Sequence, residues 1–500
     1  MPRTMFAART AVLRGVVAEP VTVEVSVSQG IPGITIVGMP DAAVLEARHR
    51  VRCAMRACGF ENPRASVTVN LAPSEVRKTG TGFDLPIAVA ILACTGQIPT
   101  KDLDGCLFVG ELGLRGEVSS VRGLVAYAML AREQGLSFVG PTGTVPAPNV
   151  DTYVIDTLAQ LRQGVANLRA AASIPLSHDT HDDGEKPGQD FSDVIDQDLA
   201  KRAFVISAAG RHGMLMVGPP GSGKSMMAKR MPTILPPLLE TERAEALLVH
   251  SVAGQELFGL QRGARPFRAP HHAISQGGLV GGGRPVRPGE VSLAHCGVLF
   301  LDELPEFAPS TLQALRQPIE DREVHIVRVD GTYTFPSDFM LVAAANPCPC
   351  GYLGDPDHEC ACSATRIQAY QSRIGGPLMD RIDVRVDVAR PSSARIIAGE
   401  RGIGSKEMAD QVMRAREFGS WWCERNGSSV PSRARGVPDL GLDDGAKSTL
   451  ESTARRLGLG GRSIVRIAQV ARTIANIDEL ERVGRDHVME ACAYRSRATL

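Results

Sequence analysis

Aromatic residues are scarce in this 500-residue sequence, at 4% with two tryptophans, and its charges cancel, 55 Lys+Arg against 55 Asp+Glu. The scarcity of rings leaves no aromatic series on which nucleic-acid bases would stack. Trp421 and Trp422 therefore read as core or subunit-contact residues. The lack of net charge excludes capture of a polyanion by the surface as a whole, so any such partner must be held by local patches. No run of 18 apolar residues is present to span a membrane. The opening MPRTMFAARTAVLRG lacks the apolar stretch of a secretory signal. The expectation is a cytoplasmic protein without a membrane partner. In that compartment the 11 cysteines do not suggest a disulfide framework. Cys53, Cys58, Cys94, Cys106, Cys296, Cys423 and Cys492 are scattered and read as small core residues.

What the sequence does contain centres on Met214–Met227, MLMVGPPGSGKSMM. Four apolar residues predict a short buried strand, followed at once by a GxxxxGK[ST] loop and a helix. The loop comprises Gly218, Pro219, Pro220, Gly221, Ser222, Gly223, Lys224 and Ser225. Its glycines let backbone N–H groups turn inward and cradle phosphate oxygens at a helix N-terminus. Lys224 is suited to the outer phosphates and the Ser225 hydroxyl to Mg²⁺, so ATP and Mg²⁺ are the expected cofactors. Further on, Gly297–Leu304 reads GVLFLDEL. A run of consecutive apolar residues predicts a strand buried on both faces, as in a parallel sheet. Asp302 and Glu303 then emerge at the carboxyl edge beside the phosphate loop. Asp302 is expected to hold Mg²⁺ through water and Glu303 to activate the attacking water. A third apolar strand, Phe339–Asn346, ends in a polar residue at the same edge.

Length and composition suggest about three domains. Residues 1–168 predict an α/β unit, and 169–189 a linker, polar and rich in Pro, Gly and acids with little to bury. Residues 190–395 carry the ATPase motifs, and 396–500 read as helical. In the last region Ile464, Ile467, Ala468, Ala471 and Ile474 recur at helical spacing and predict a packing face.

Two further stretches carry chemistry. Leu257–Gly289 holds Arg262, Arg265, Arg268, Arg284, Arg287, His271 and His272 and no acid. It reads either as a flexible basic loop contacting phosphate backbones or as a structural insert whose arginines pair with acids elsewhere. Glu323–Phe335 predicts a hairpin turning at Asp330-Gly331, with His325 and Arg328 upon it. Cys348, Cys350, Cys360 and Cys362 form C-x-C-x₉-C-x-C with His358 nearby. Four thiolates suit a closed structural Zn²⁺ site; reduced loop cysteines or a redox pair are the alternatives.

Several of these motifs resemble known families. Phe108–Leu136 resembles the strand-hairpin-helix of Lon-type protease domains. The Lon lysine would fall at Val125, and KTGTGFDLP (Lys78–Pro86) has no serine where the nucleophile belongs, so protease chemistry is not expected. The motifs of 190–395, with DFSDVIDQ (Asp190–Gln197) ahead of the phosphate loop, resemble AAA+ ATPases. That resemblance implies that Asn346 is the sensor orienting the lytic water. PLMDRIDVRVDV (Pro377–Val388) resembles the arginine-finger motif of the helix-2-insert clade and implies Arg381 as a finger acting on a neighbouring subunit. Arg462, or Arg466 one turn on, would be the second sensor. Together with FRAPHHAISQGGLVGGG (Phe267–Gly283) and NPCPCGYLGDP after the third strand, the chain resembles the magnesium chelatase-like ComM/YifB family over essentially its whole length. The resemblance implies a Lon-like first unit, an AAA+ core with helix-2 insert, a helical lid, and a homo-oligomeric, hexameric ring. It also implies helicase or branch-migration activity on single-stranded or branched DNA. A chelatase motor or a protein remodeller stands as the rival.

Overall fold

Alternating apolar residues in Met5–Arg14 and Val17–Ser28 bury one face of a long hairpin, paired from Met5 with Ser26 to Arg14 with Val17. Gly15, at φ +62°, supplies the left-handed turn. This hairpin is the centre of an eight-stranded mixed sheet in a computed structural model that describes residues 5–146, 149–171, 189–329, 331–427 and 435–496. On one side the sheet continues through Ser66–Ala72 to Gly33–Val37; on the other, through Cys106–Phe108, Ser137–Gly140 and Thr152–Val154 to Arg169–Ala170. The helix Asp84–Cys94 is buried at every residue against it. Its one charge, Asp84, is held by a two-point ion pair with Arg50, at 2.6 and 2.9 Å, and by the Leu112 N–H. Arg169 and Ala170 still belong to the sheet, antiparallel to Tyr153 and Val154. Of the expected linker, residues 172–188 lie outside the described residues.

The first unit is tied to the second through the turn that starts helix Leu124–Glu133. The Gly123 and Val125 N–H groups donate to the carbonyl and hydroxyl of Ser251, at 3.0 and 3.2 Å. Val125 thus serves as a docking point between the two units.

The second unit is built on five parallel strands in the spatial order Phe267–Arg268, Val298–Leu301, Met340–Ala345, Met214–Val217, Val384–Asp387. Met214, Met216, Val298, Phe300, Val342 and Ala344 enter one core; Leu215, Val217, Leu299, Leu301, Ala343 and Ala345 enter the other. Burial of both faces explains why these strands are continuous apolar runs. One of the cores is shared with the C-terminal helices Ser405–Arg425, Asp444–Leu457, Gly461–Ile477 and Arg485–Ser496, through residues such as Met408, Leu450, Ile467 and Ile474. Trp422 is buried there, donating to Glu481 O at 2.9 Å, whereas Trp421 is half-exposed. Among the described residues no helix is long and apolar enough to cross a membrane.

Two sequence expectations change. The 257–289 insert is not a flexible basic loop: Phe267–Arg268 is the edge strand of the parallel sheet, and Gln276–Val280 is helical. The Arg265 side chain is only 5% exposed, bonded to the carbonyls of Pro236, Cys296 and Pro237 and to Glu242 at 2.7 Å. Arg268 forms a two-point pair with Glu290, at 2.6 and 2.8 Å. The charge imbalance of the insert is thus partly cancelled by acids outside it, which composition of the segment alone could not reveal. The hairpin is real, Glu323–Arg328 with Gly331–Pro336, but its last pair is Arg328 with Gly331. Gly331, at φ +135°, opens the second strand and is not a turn residue.

Arg265→Ala is expected to lower the stability of the chain by about 3–5 kcal/mol, the cost of breaking a buried pair from one side. Chemical denaturation of the variant beside Arg284→Ala, whose arginine is exposed, is the check. Equal midpoints would remove Arg265 from the structural role.

Candidate nucleotide site

Parallel register puts three strand ends at one edge. Val217 pairs with Ala345 and Leu301 with Ala343, so the segments beginning at Gly218, Asp302 and Asn346 leave the sheet together. Gly218 has no room for a side chain, because a Cβ there would stand 2.1 Å from the Val388 carbonyl oxygen. Gly223, at φ +88°, turns the chain left-handed into the helix Lys224–Arg230.

Lys224 is almost wholly buried, and its ammonium donates to the Gly218 and Pro219 carbonyls at 2.7 and 2.9 Å and to Asn346 Oδ1 at 3.3 Å. Burial pushes its pKa down to about 8, against the pull of Asp302 and Glu303 in the opposite direction. The Ser225 hydroxyl donates to Asp302 Oδ2 at 2.5 Å. A hydroxyl and a carboxylate in contact beside a glycine-turned loop form the donor set of a hydrated Mg²⁺ with a phosphate chain. Asp302 also receives the Glu303 N–H at 3.0 Å. Glu303 itself has φ +51° and is 55% exposed, so its carboxylate projects from a sharp left-handed turn into open space rather than into the core. A non-glycine residue in that region carries backbone strain that the surrounding fold must hold.

One partner of this site escaped the sequence reading. His272, from the insert, stands with Nδ1 3.4 Å from Glu303 Oε2, and its ring neighbours His271 at 4.1 Å between centroids. The only sequence signal was a His-His pair in a segment read for its basic charge. The insert thus touches the carboxylate through a histidine, not through an arginine.

Arg381 and Arg466 are not brought to this edge. The Asp383 and Val384 N–H groups both donate to Gly213 O, at the amino end of the strands. A four-residue strand, about 13 Å long, separates that end from the phosphate loop. There the Arg381 guanidinium is 4% exposed and pairs with Glu320. Arg466 is bonded to Asp383 and to Arg381 O. Arg462 lies exposed near the start of the same helix. The four cysteines follow Asn346 directly, all four sulfurs lying within 4.8 Å of one another.

Comparison with known proteins agrees with this architecture. The family described as magnesium chelatase, subunit ChlI, matches residues 190–396; its C-terminal counterpart matches 402–495, and subunit ChlI of Mg-chelatase matches 23–143. YifB of Escherichia coli (strain K12), an uncharacterized protein, is 39% identical over 96% of this chain and 95% of its own length. The competence protein ComM of Haemophilus influenzae is 39% identical over 97% and 96%. An uncharacterized protein of Mycobacterium tuberculosis (strain ATCC 25618 / H37Rv) is 36% identical over 97% of each. The fold and the site define a magnesium chelatase-type AAA+ protein, a class to which ATP and Mg²⁺ belong as cofactors. Within that class the chain belongs to the magnesium chelatase-like ComM/YifB family.

Because phosphates attract the charged form of Lys224, nucleotide affinity is expected to be flat below pH 8. Above it, binding must take up a proton, and affinity should fall by up to about tenfold per pH unit. Lys224→Arg, charged throughout, should abolish the slope, and Lys224→Ala should abolish binding. Nucleotide titrations on both sides of pH 8 read this directly, and retained binding by Lys224→Ala would refute the assignment of Lys224 to the phosphates.

Proposed function

We propose that this chain is an ATP-driven, ring-forming motor that moves along DNA, with ComM-like helicase or branch-migration activity in recombination or transformation. The observation that carries the DNA reading is an exposed basic surface made by two elements. The 281–288 segment of the insert packs against the hairpin, where a Cβ at Gly281 would stand 3.0 Å from Ile326 Cδ1 and one at Gly282 3.4 Å from Arg328 Nη2. That contact brings the exposed Arg284, Arg287 and Arg328 close together, whereas His325, three residues from Arg328 on the same strand, faces the other side of the hairpin beside Glu323. Phosphate contacts from such a surface depend on charge rather than base sequence. The name of the competence protein among the relatives points the same way.

In the nucleotide site, Gly218–Ser225 would hold the phosphates, Ser225 and Asp302 the Mg²⁺, Glu303 the lytic water and Asn346 its orientation. The His272 contact couples the insert to Glu303, so a substrate on the insert has a direct route to the catalytic carboxylate. Arg381 lies at the far edge of the sheet from its own phosphate loop, which leaves it the nucleotide of a neighbouring copy, and Arg462 is read as the second sensor. That argument supports a ring, read as a hexamer, with Arg381 leaving Glu320 to act as the finger. The first unit is read as a Lon-like scaffold without protease chemistry, the insert as the helix-2 insert of its clade, the cysteine cluster as a Zn²⁺ site, and the protein as cytoplasmic. A second reading, a protein remodeller, is favoured by Val327 and Val329, 74% and 107% exposed toward the hairpin tip, where an apolar loop would grip a peptide.

Arg381→Ala is expected to bind ATP normally and hydrolyse it at a small fraction of the wild-type rate. Mixing it with Lys224→Ala subunits should restore activity, since each variant supplies the half-site the other lacks. Normal turnover by Arg381→Ala alone would exclude the shared site.

Single-stranded and branched DNA should raise the ATPase rate, and DNA affinity should fall steeply with salt as counterions are released. Arg284→Ala with Arg287→Ala should flatten that salt slope by roughly two units and leave DNA-free hydrolysis intact. Absence of stimulation and of salt-sensitive binding, in protein that hydrolyses ATP, would reject the DNA motor and favour the remodeller.

A further inference from the structure

Residues 347–362, between Asn346 and the helix Ala364–Gln371, contain no strand or helix, and most of their side chains are exposed or half-buried. Apolar burial does not hold such a segment in place. Two polar fastenings do the work instead. At the tip, Asp355 accepts the Asp357 and His358 N–H groups at 2.9 and 3.2 Å and pairs with Arg390 at 3.6 Å. His358 stacks on Tyr352 and bonds Arg390 at 2.9 Å, so its ring is engaged away from the sulfurs. At the base stand the four cysteines. Cys348 Sγ lies 3.3 Å from Cys350 Sγ and 3.6 Å from Cys360 Sγ, and Cys350 lies 3.6 Å from Cys360. These separations are well beyond the about 2.05 Å of a disulfide. They approach the roughly 3.8 Å between thiolates that share one tetrahedral Zn²⁺ at about 2.3 Å.

The base of this knuckle touches the nucleotide site. Gly351, bonded through its N–H to Cys348 O at 2.9 Å, packs on the phosphate loop so closely that a Cβ would stand 2.5 Å from Pro220 Cδ. The strand leading into the knuckle receives the Gly218 N–H at Ala345 O, 3.2 Å, and its last residue, Asn346, accepts from Lys224. The cysteine turn is therefore in contact with the phosphate loop on one side and continuous with Asn346 on the other.

We propose that Cys348, Cys350, Cys360 and Cys362 hold one Zn²⁺ as a closed structural site, and that this knuckle braces the phosphate loop through Gly351 and Pro220, making nucleotide affinity depend on the bound metal. Four thiolates leave no open position, so the metal acts by fixing geometry and not by touching substrate. The brace rests on the reading of Gly218–Ser225 as the nucleotide site; the metal does not.

Protein purified reduced and without chelator is expected to carry about one zinc per chain by elemental analysis. Co²⁺ added to metal-free protein should give thiolate charge-transfer absorption and the visible bands of a tetrahedral site, both lost in Cys348→Ser with Cys360→Ser. Because that variant could fail to fold, the brace is tested on wild-type protein stripped by chelator. Its nucleotide affinity should weaken about tenfold, within the range of coupled sites, and recover on adding Zn²⁺. Absence of metal together with absence of the Co²⁺ spectrum would overturn the site, whether the thiols prove free or disulfide-linked. Unchanged nucleotide affinity after full metal loss would overturn the brace. Zinc-loaded wild-type protein that binds no nucleotide would instead count against the phosphate-loop reading.

Discussion

The 2.5 Å hydrogen bond from Ser225 to Asp302 joins two segments 77 residues apart, and it exists only because the strands before them are parallel and in register. Between their strands runs a third, Met340–Ala345, which pairs with both and delivers Asn346 to the same edge. A slip of one residue in any strand would exchange its two buried faces and move the segment that follows it. The double-sided core, with Met216 and Phe300 on one face and Val217 and Leu301 on the other, is what forbids that slip. The nucleotide site is in this sense a consequence of packing several layers below it.

Segments outside the sheet are held against that edge by means other than strand pairing. The insert reaches Glu303 through His272 while anchoring its own base with Arg265 and Arg268 on Glu242 and Glu290. The cysteine knuckle lies against Pro220. The opposite edge collects arginines on Glu320 and Asp383, and these are too far from the local phosphate loop to act there. The sheet thus has the phosphate-loop residues at one edge and ion-paired arginines at the other.

The turn at Gly123–Val125 still begins a helix at the place the Lon resemblance gives to a catalytic lysine, but its N–H groups bind Ser251 of the ATPase unit. Lys78, at the start of the serine-free KTGTGFDLP, is fully buried. Its ammonium donates to the Pro73 carbonyl, and its backbone bonds Met39 and Asp41.

The phosphate loop, the buried strands, Asp302-Glu303, the hairpin and the amphipathic helix around Ile467 were all legible from residue order. Each depends on local sterics or on a periodicity that survives whatever surrounds it. Pairing partners were not legible. Whether the arginines of the insert are free or paired was not legible, because their acids, Glu242 and Glu290, lie outside the segment, one of them just past its end. His272 read as part of a basic patch because only folding brings it to Glu303, 31 residues away in sequence. The register that made Arg328 and Gly331 a pair depends on cross-strand contacts, not on which dipeptide favours a turn. What the sequence alone determined was the set of groups and the strands that carry them; which charges would be cancelled, which edge each group would occupy and which loops would touch were decided by tertiary structure, because ion pairs and loop contacts have no periodicity along the chain.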